Sequence, residues 1–398
     1  MNYKKMKFYS TVIALLLLIS GAFAQDNLSL KDAIEIGLKN NYKIQIAGKN
    51  VEIAERNNNW LEAGALPSLT ANSSYGLNWS ENNNPTSFII GTSQSSNLSF
   101  GADLNWVLFN GFKVKISKDK LHYLQEQSQG NAAVVVENTI QSIILGYYNA
   151  LLQQEKLTVL SELVKVSVDR FNYVKQKNEL GTSSTFDLLQ VKNAMLTDST
   201  NFLMQELAFN NALRNLNMLM AVDVEKKFTL TDKLTHEKQL ISIDGLKSRM
   251  LSNNQTLKNQ YINKSILQKE KGLMRANLFP VLSFNAGGNQ TINGFKGTSR
   301  FSNEEINTSG NESFTYYANF TLTFNLFNGH KTHRAFNNLR VQEEIASITS
   351  TEMELTLTNE LISTVELYKA RTAILNLTNE SLKSAELNLQ IAKDKYQS

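Results

Sequence analysis

The chain has 398 residues, three prolines, no cysteine and 40 Lys and Arg against 36 Asp and Glu. That balance leaves no basic stripe for nucleic acid, and the missing cysteine excludes disulfides, thiolate metal sites and a lipid-modified N-terminal cysteine. With proline only at Pro67, Pro85 and Pro280, helices much longer than those of ordinary globular domains are permitted.

Residues 1–24 read as a secretory signal: Lys4, Lys5 and Lys7, then an apolar core over 12–19, then Ala22-Phe23-Ala24 as a small-x-small cleavage site. Without those three lysines the remainder carries 37 basic and 36 acidic residues. No later apolar run approaches the roughly 18 residues of a membrane-spanning helix, so any membrane crossing falls to strands. Residues 28–65 read as one helix, with Ser29 and Asp32 as its cap box, ended by Leu66-Pro67-Ser68-Leu69. The period then changes to two. Leu69, Ala71, Ser73, Tyr75, Leu77 and Trp79 alternate with Thr70, Asn72, Ser74, Gly76 and Asn78, predicting a strand over about 69–79. Residues 80–96, rich in Asn, Ser and Thr, read as a solvated loop. A second strand over about 98–108 places Leu98, Phe100, Ala102, Leu104, Trp106 and Leu108 on one face and closes on Leu108-Phe109-Asn110-Gly111.

A helical hairpin follows over 113–220. Its first helix, 113–180, would reach about 100 Å at ~1.5 Å per residue. Leu180-Gly181-Thr182-Ser183-Ser184 breaks it, and 185–220 returns antiparallel. Residues 221–245 read as a linker.

The second half repeats the first. A helix ends at Leu278-Phe279-Pro280-Val281-Leu282, and strands are predicted over about 281–290 and 314–326 with a polar loop over 290–313. In 314–326, Phe314, Tyr316, Ala318, Phe320, Leu322, Phe324 and Leu326 alternate with small or polar residues, Tyr317 excepted. Leu326-Phe327-Asn328-Gly329 opens a long helix over 330–398. Pro67 and Pro280 are 213 residues apart, Gly111 and Gly329 218 apart. The expected organisation is therefore two structural repeats, 25–245 and 246–398. Gly181 lies 70 residues after Gly111, so the second long helix should break near residue 399. On that count the chain is C-terminally incomplete, its final helix missing.

Four amphipathic strands cannot close a barrel, and in lipid an open sheet would leave two edges of unpaired backbone groups. The pattern thus predicts completion by further copies in a cyclic oligomer, with Tyr75, Trp79 and Trp106 as membrane-interface aromatics. The alternative is a soluble β-sandwich. The helices' sparse apolar residues suit coiled-coil seams, and periodicity alone fits a static stalk as well as a conduit.

Chemistry is hard to find. His330 and His333 stand three apart at a helix start but lack a third ligand for a metal. His122 and His236 are isolated. Gly287-Gly288 has no phosphate-loop context, and no acid/base pair is evident. No enzyme, metal or cofactor is expected.

The duplicated order of helix, LPSL-type entry, two strands, LFNG exit and long hairpin resembles the TolC-like outer-membrane efflux proteins. So does Leu180-Gly181-Thr182-Ser183 followed by Phe186-Asp187-Leu188-Leu189. The resemblance implies a mixed α and β membrane protein with four transmembrane strands per chain and long antiparallel coiled-coil hairpins. Three chains would complete a 12-stranded β-barrel continuing into a 12-helix periplasmic α-barrel. It implies location in the cell outer membrane of a Gram-negative-type envelope, reaching into the periplasm. It further implies a passive role in efflux or type I secretion, with a periplasmic adaptor (membrane fusion) protein and an inner-membrane RND, ABC or similar pump as partners. Leu180, Gly181, Thr182 and Ser183 would be the adaptor-docking tip, with Asp187, Leu188 and Leu189 opening the returning helix. Asp187 also reads as a plain helix-start residue. Tyr396 matches a gate tyrosine, the acidic gate ring would lie beyond Ser398, and Pro67, Gly111, Pro280 and Gly329 would be the strand–helix junctions. A structural envelope-spanning coiled coil without conduction, or a secreted pore-forming toxin, are the alternatives.

Overall fold

The computed structural model describes residues 26–236 and 241–397. The expected signal, residues 1–24, lies outside the described residues. The chain divides into two units, residues 1–48 with 132–240 and residues 49–131 with 241–398.

The first unit is built around a short parallel pair, β1 (Asp26–Leu28) and β4 (Phe228–Leu230). Helix α1 (Leu30–Asn40) and parts of α3 (Lys113–Glu179) and α4 (Thr185–Met220) pack on it. Leu28, Ile143, Tyr147, Leu151, Leu216 and Met220 are fully buried there. Residues 221–245, expected as a linker, instead supply β4 with its buried Phe228 and Leu230. Three residues are too few for a period to register. The Tyr147 hydroxyl donates to the Leu28 carbonyl at 2.9 Å, fixing α3 to β1. Leu30 N–H donates to the Asp232 carboxylate at 2.7 Å. Burial, with the Asp232 carboxylate next in weight, pushes the Tyr147 phenol up to about 12.

The expected single helix over 28–65 is two, α1 and α2 (Tyr42–Asn57). Asn41 separates them at φ −59°, ψ 124°. Its side-chain oxygen accepts from Lys43 N–H at 2.9 Å, while its amide donates to the Leu219 carbonyl at 2.8 Å. An asparagine that satisfies the next turn's orphan N–H ends one helix and starts another. Asn254 does the same between α5 (Ile243–Asn253) and α6 (Gln255–Ala276), at φ −59°, ψ 118°, accepting from Leu257 N–H at 2.9 Å. Beyond Asn57 residues 58–66 are turns rather than helix.

The second unit carries a four-stranded antiparallel sheet in the order β2-β3-β5-β6: Ser68–Asn82, Ile89–Phe109, Val281–Ser299 and Glu305–Thr323. These strands outrun the alternating segments. Most of 80–96 and 290–313, expected as loops, is paired strand, because the backbone ladder continues where neither face is apolar. Ser80 and Ser93 even pair through their hydroxyls at 2.9 Å. The last strand stops at Thr323, three residues short of the expected 326. Helix α7 (Lys331–Gln397) follows. Around the sheet's helix-side end, α3 and α6 are joined by two reciprocal ion pairs, Lys120–Glu270 at 2.7 Å and Asp119–Lys269 at 2.8 Å. Helices α6 and α7 are joined by Lys271–Glu343 and by the Tyr261 hydroxyl on Glu354 at 2.7 Å. Among the described residues no helix is long and apolar enough to cross a membrane.

Candidate functional site: a two-faced sheet and a capped helical turn

The register sorts the sheet into two chemically opposite faces. On one, Leu69, Leu104, Ala286 and Ala318 form a row, then Ala71, Ala102, Gly288 and Tyr316, with Trp106, Phe284 and Phe320 beside them. This apolar face is uncovered: Leu69 is 75% exposed and Phe320 69%. Burying each such side chain is worth about 1.5–3 kcal/mol, so a contiguous bare face of this size marks an interaction surface. Tyr75, Trp79 and Trp106 all lie on it. Trp79 pairs with Gln94, which is twelve residues along β3 from Trp106. The Trp106 indole donates to the Ala65 carbonyl at 3.1 Å, tying that end of the sheet to the turns before Pro67.

The opposite face carries Ser, Thr, Asn and Gly in cross-strand pairs. Asn97 donates to Asn293 at 2.8 Å and Ser99 to Asn289 at 2.9 Å. One row is different: Thr70, Asp103, Gly287 and Tyr317 lie side by side. The Asp103 carboxylate accepts from Asn72 Nδ2 at 2.6 Å on one oxygen and from the Tyr317 hydroxyl on the other. Tyr317 can reach Asp103, two strands away, only because Gly287 lies between them. A Cβ there would sit 2.8 Å from both the phenol oxygen and Asp103 Oδ1. The sequence marked Tyr317 as the exception in its alternation. Its partnership with Gly287, and Asp103 with Asn72, it did not reveal.

Both strand–helix exits use the same backbone. Gly111 and Phe112 are left-handed at φ 68° and 67°, Gly329 and His330 at 64° and 58°. His330 therefore precedes α7 in a left-handed turn rather than sharing a helix face with His333. Its ring meets Phe327 edge-on at 5.5 Å. Gly111 is pressed against the end of α6, since a Cβ on it would lie 2.5 Å from the Ala276 carbonyl, whereas nothing lies within 4 Å of the same point on Gly329. Pro67 and Pro280 each stand immediately before a strand, where a missing N–H costs nothing.

The turn joining α3 to α4 is the other prominent feature. Gly181 has φ 73°, Thr182 N–H donates to Lys177 O at 2.8 Å, and Asn178 Nδ2 donates to Ser183 O at 2.8 Å. Ser184 and Asp187 form a full capping box on α4: Ser184 Oγ donates to the carboxylate at 2.6 Å and Asp187 N–H donates back to Ser184 Oγ at 3.1 Å. Those serine bonds hold the Asp187 carboxyl below its usual range. Leu180 and Phe186 are 79% and 74% exposed, Leu189 is exposed and Leu188 half-buried. Tyr396 belongs to the last turn of α7, its side chain outside the described residues.

The model of the outer membrane efflux protein family matches residues 33–222. No curated protein matches the chain. Among solved structures, CusC shares 15% identity at a TM-score of 0.70, covering 94% of this chain and 83% of that one. The VceC outer membrane protein of Vibrio cholerae shares 14% at 0.62, covering 92% and 85%. The CmeC outer membrane channel of Campylobacter jejuni shares 16% at 0.61, covering 85% and 70%. At such identities the structural likeness is one of fold. The chain is thus similar to the outer membrane efflux proteins over residues 33–222 and shares the fold of these solved outer-membrane channels.

Proposed function

We propose that this chain forms a passive outer-membrane duct for efflux or type I secretion. The observation that carries the proposal is the sheet: one bare apolar face, one polar face, and edge strands β2 and β6 left unpaired. In lipid an unpaired strand edge is untenable, since each orphaned backbone group costs several kcal/mol, so copies of the chain must pair edge to edge. Three copies of four strands give a closed barrel of twelve, with the apolar face toward lipid and the polar face toward a water-filled lumen. The spacing of Trp79 and Trp106 fits. Twelve residues span about 40 Å along a strand, or about 30 Å across a bilayer at a tilt near 40°, close to the hydrocarbon thickness, with the charged Lys296 and Glu312 confined to the Trp79 end.

In the same proposal α3, α4 and α7 contribute to a periplasmic tunnel. Residues 25–245 and 246–398 are two copies of one ancestral unit, supported by the matched helix breaks at Asn41 and Asn254 and the matched left-handed exits at Gly111 and Gly329. Leu180, Gly181, Thr182, Ser183 and Leu189 form a tip, with Leu180 and Leu189 exposed on it, that meets a periplasmic adaptor, through which an inner-membrane pump supplies the energy. Asp187 and Leu188 hold the start of the returning helix, and Tyr396 contributes to closure. No catalytic role is assigned.

The test is conductance. Purified chain in planar bilayers should give discrete steps, and should migrate on gels as a heat-sensitive trimer. A folded trimer that never conducts would favour a structural spacer instead; a monomer soluble without detergent would end the barrel proposal.

A further inference from the structure

Resting on the duct reading, we propose that Asp103 sets the charge preference of the strand-lined section, making it selective for cations over anions.

The four strands hold five charged side chains: Glu81, Asp103, Lys296, Glu305 and Glu312. Glu81 pairs with Thr92 on the Trp79 face, and Lys296 pairs with Gln94, itself opposite Trp79. Glu305 pairs with Thr298, and Glu312 with Ile292 in the row of Leu98 and Tyr75, which puts both on that same face. Asp103 is left as the one charged side chain that the register of these strands puts on the polar face. In a closed trimer it recurs three times at one level of an otherwise neutral wall.

The carboxylate is also held in position rather than free to wander. Asn72 fixes one oxygen and Tyr317 the other, and Gly287 gives up its side chain so that the phenol can cross β5. Asp103 is half-buried in this cradle, so its charge stands at the lumen wall instead of sweeping the bore. A fixed ring of like charge raises the local concentration of counter-ions and lowers that of co-ions. Its reach is the Debye length: ~30 Å in 0.01 M salt, ~10 Å in 0.1 M and ~3 Å in 1 M. The preference should therefore be strong in dilute salt and fade toward 1 M.

The experiment is the reversal potential of the full chain in planar bilayers under a KCl gradient, at low and high mean concentration. The unmodified chain should favour potassium in dilute salt. Asp103→Asn should lower the cation-to-anion permeability ratio about threefold or more, as expected for three charges at lumen distance, and remove its dependence on salt. Asn105→Lys, one row away on the same face, places a cation beside each carboxylate and should abolish the preference without touching the cradle. Asp103→Ser, which removes the same charge, decides the matter if Asp103→Asn does not fold. An unchanged ratio in any conducting variant overturns the assignment while leaving the duct intact. No conduction from the unmodified chain sinks the duct itself, and this inference with it.

Discussion

Two identical Leu-Phe-Asn-Gly exits give an internal comparison: Gly111→Ala and Gly329→Ala should cost very different amounts. Both glycines are left-handed, at φ 68° and 64°, so each alanine meets the Cβ–carbonyl crowding of that region, about 1 kcal/mol. At Gly329 the crowding is the whole cost, because nothing lies within 4 Å of the new methyl. At Gly111 the methyl would sit 2.5 Å from the Ala276 carbonyl oxygen and 2.8 Å from Phe279 Cβ. Neither neighbour is the loose end of a side chain; both are fixed by the end of α6 and the approach to Pro280. Overpacking of that kind adds roughly 1–3 kcal/mol. The difference between the variants should be about 2 kcal/mol, or some 4–8 °C in melting temperature for a unit of this size. Far-UV circular dichroism melts in detergent measure it directly. Asparagine, which tolerates the left-handed region, should rescue position 329 and fail at 111. If both alanines lower the melt equally, the Gly111 contact is softer than the geometry shows and the reasoning fails.

At the helical turn, Ser184 and Asp187 stabilise the start of α4 through the ionised carboxylate, whose titration is held below the ordinary 3.8. That stabilisation is present above pH 4 and disappears as pH falls through the lowered value. Protection factors over 185–188, taken against the intrinsic exchange rate at each pH, should be high at pH 7 and fall on acidification, and should be low at both for Asp187→Asn; equal protection in the two proteins would contradict this. Tyr147 works in the opposite sense. Its phenol is raised from 10 to about 12 in the folded chain, so the folded state loses stability as pH climbs through that window. Urea midpoints should fall more steeply between pH 10 and 12 for the unmodified chain than for Tyr147→Phe, and parallel curves would remove Tyr147 from the account. Gly287→Ala should dislodge the Tyr317 hydroxyl from Asp103 and lower the heat stability of the sheet, whereas Gly76→Ala, on the same face with nothing within 4 Å, should leave it unchanged.

What could be read from residues follows from how many of them carry one signal. Five apolar side chains on the six alternating positions of 69–79, Ser73 excepted, fix a strand and its faces, and the register places Leu69, Tyr75 and Trp79 together on the apolar face. Asp187 was legible as a helix-start residue from the helix dipole, while its capping box with Ser184 came from the structure. Legibility ended where a signal had one carrier. Asn41 splits a helix with a single side chain, and the surrounding apolar period runs on as if unbroken. β1 and β4 are three residues each, below the length at which alternation means anything. The outer ends of the strands have polar residues on both faces, so period two vanishes while the hydrogen-bond ladder continues. Tyr317 was conspicuous as a misfit, but its reason lies on two other strands.

The bare apolar surface is of two kinds, and the two call for different covers. On the sheet it is continuous along one face, with no charged side chain from the Trp106 row to the Phe100 row, and backed by a face of small polar residues. A uniform apolar solvent suits such a wall. On the helices exposed apolar residues are spread singly: Val159 and Val166 on α3, Leu203 on α4, Ile348, Leu355 and Leu377 on α7, with charged residues between them. That spacing suits the seam of another helix rather than lipid. One event, the association of copies of this chain, would close the open strand edges and fill those seams together. Neither need explains the other, and the economy of a single answer to both is the strongest physical reason to expect the duct to be an oligomer.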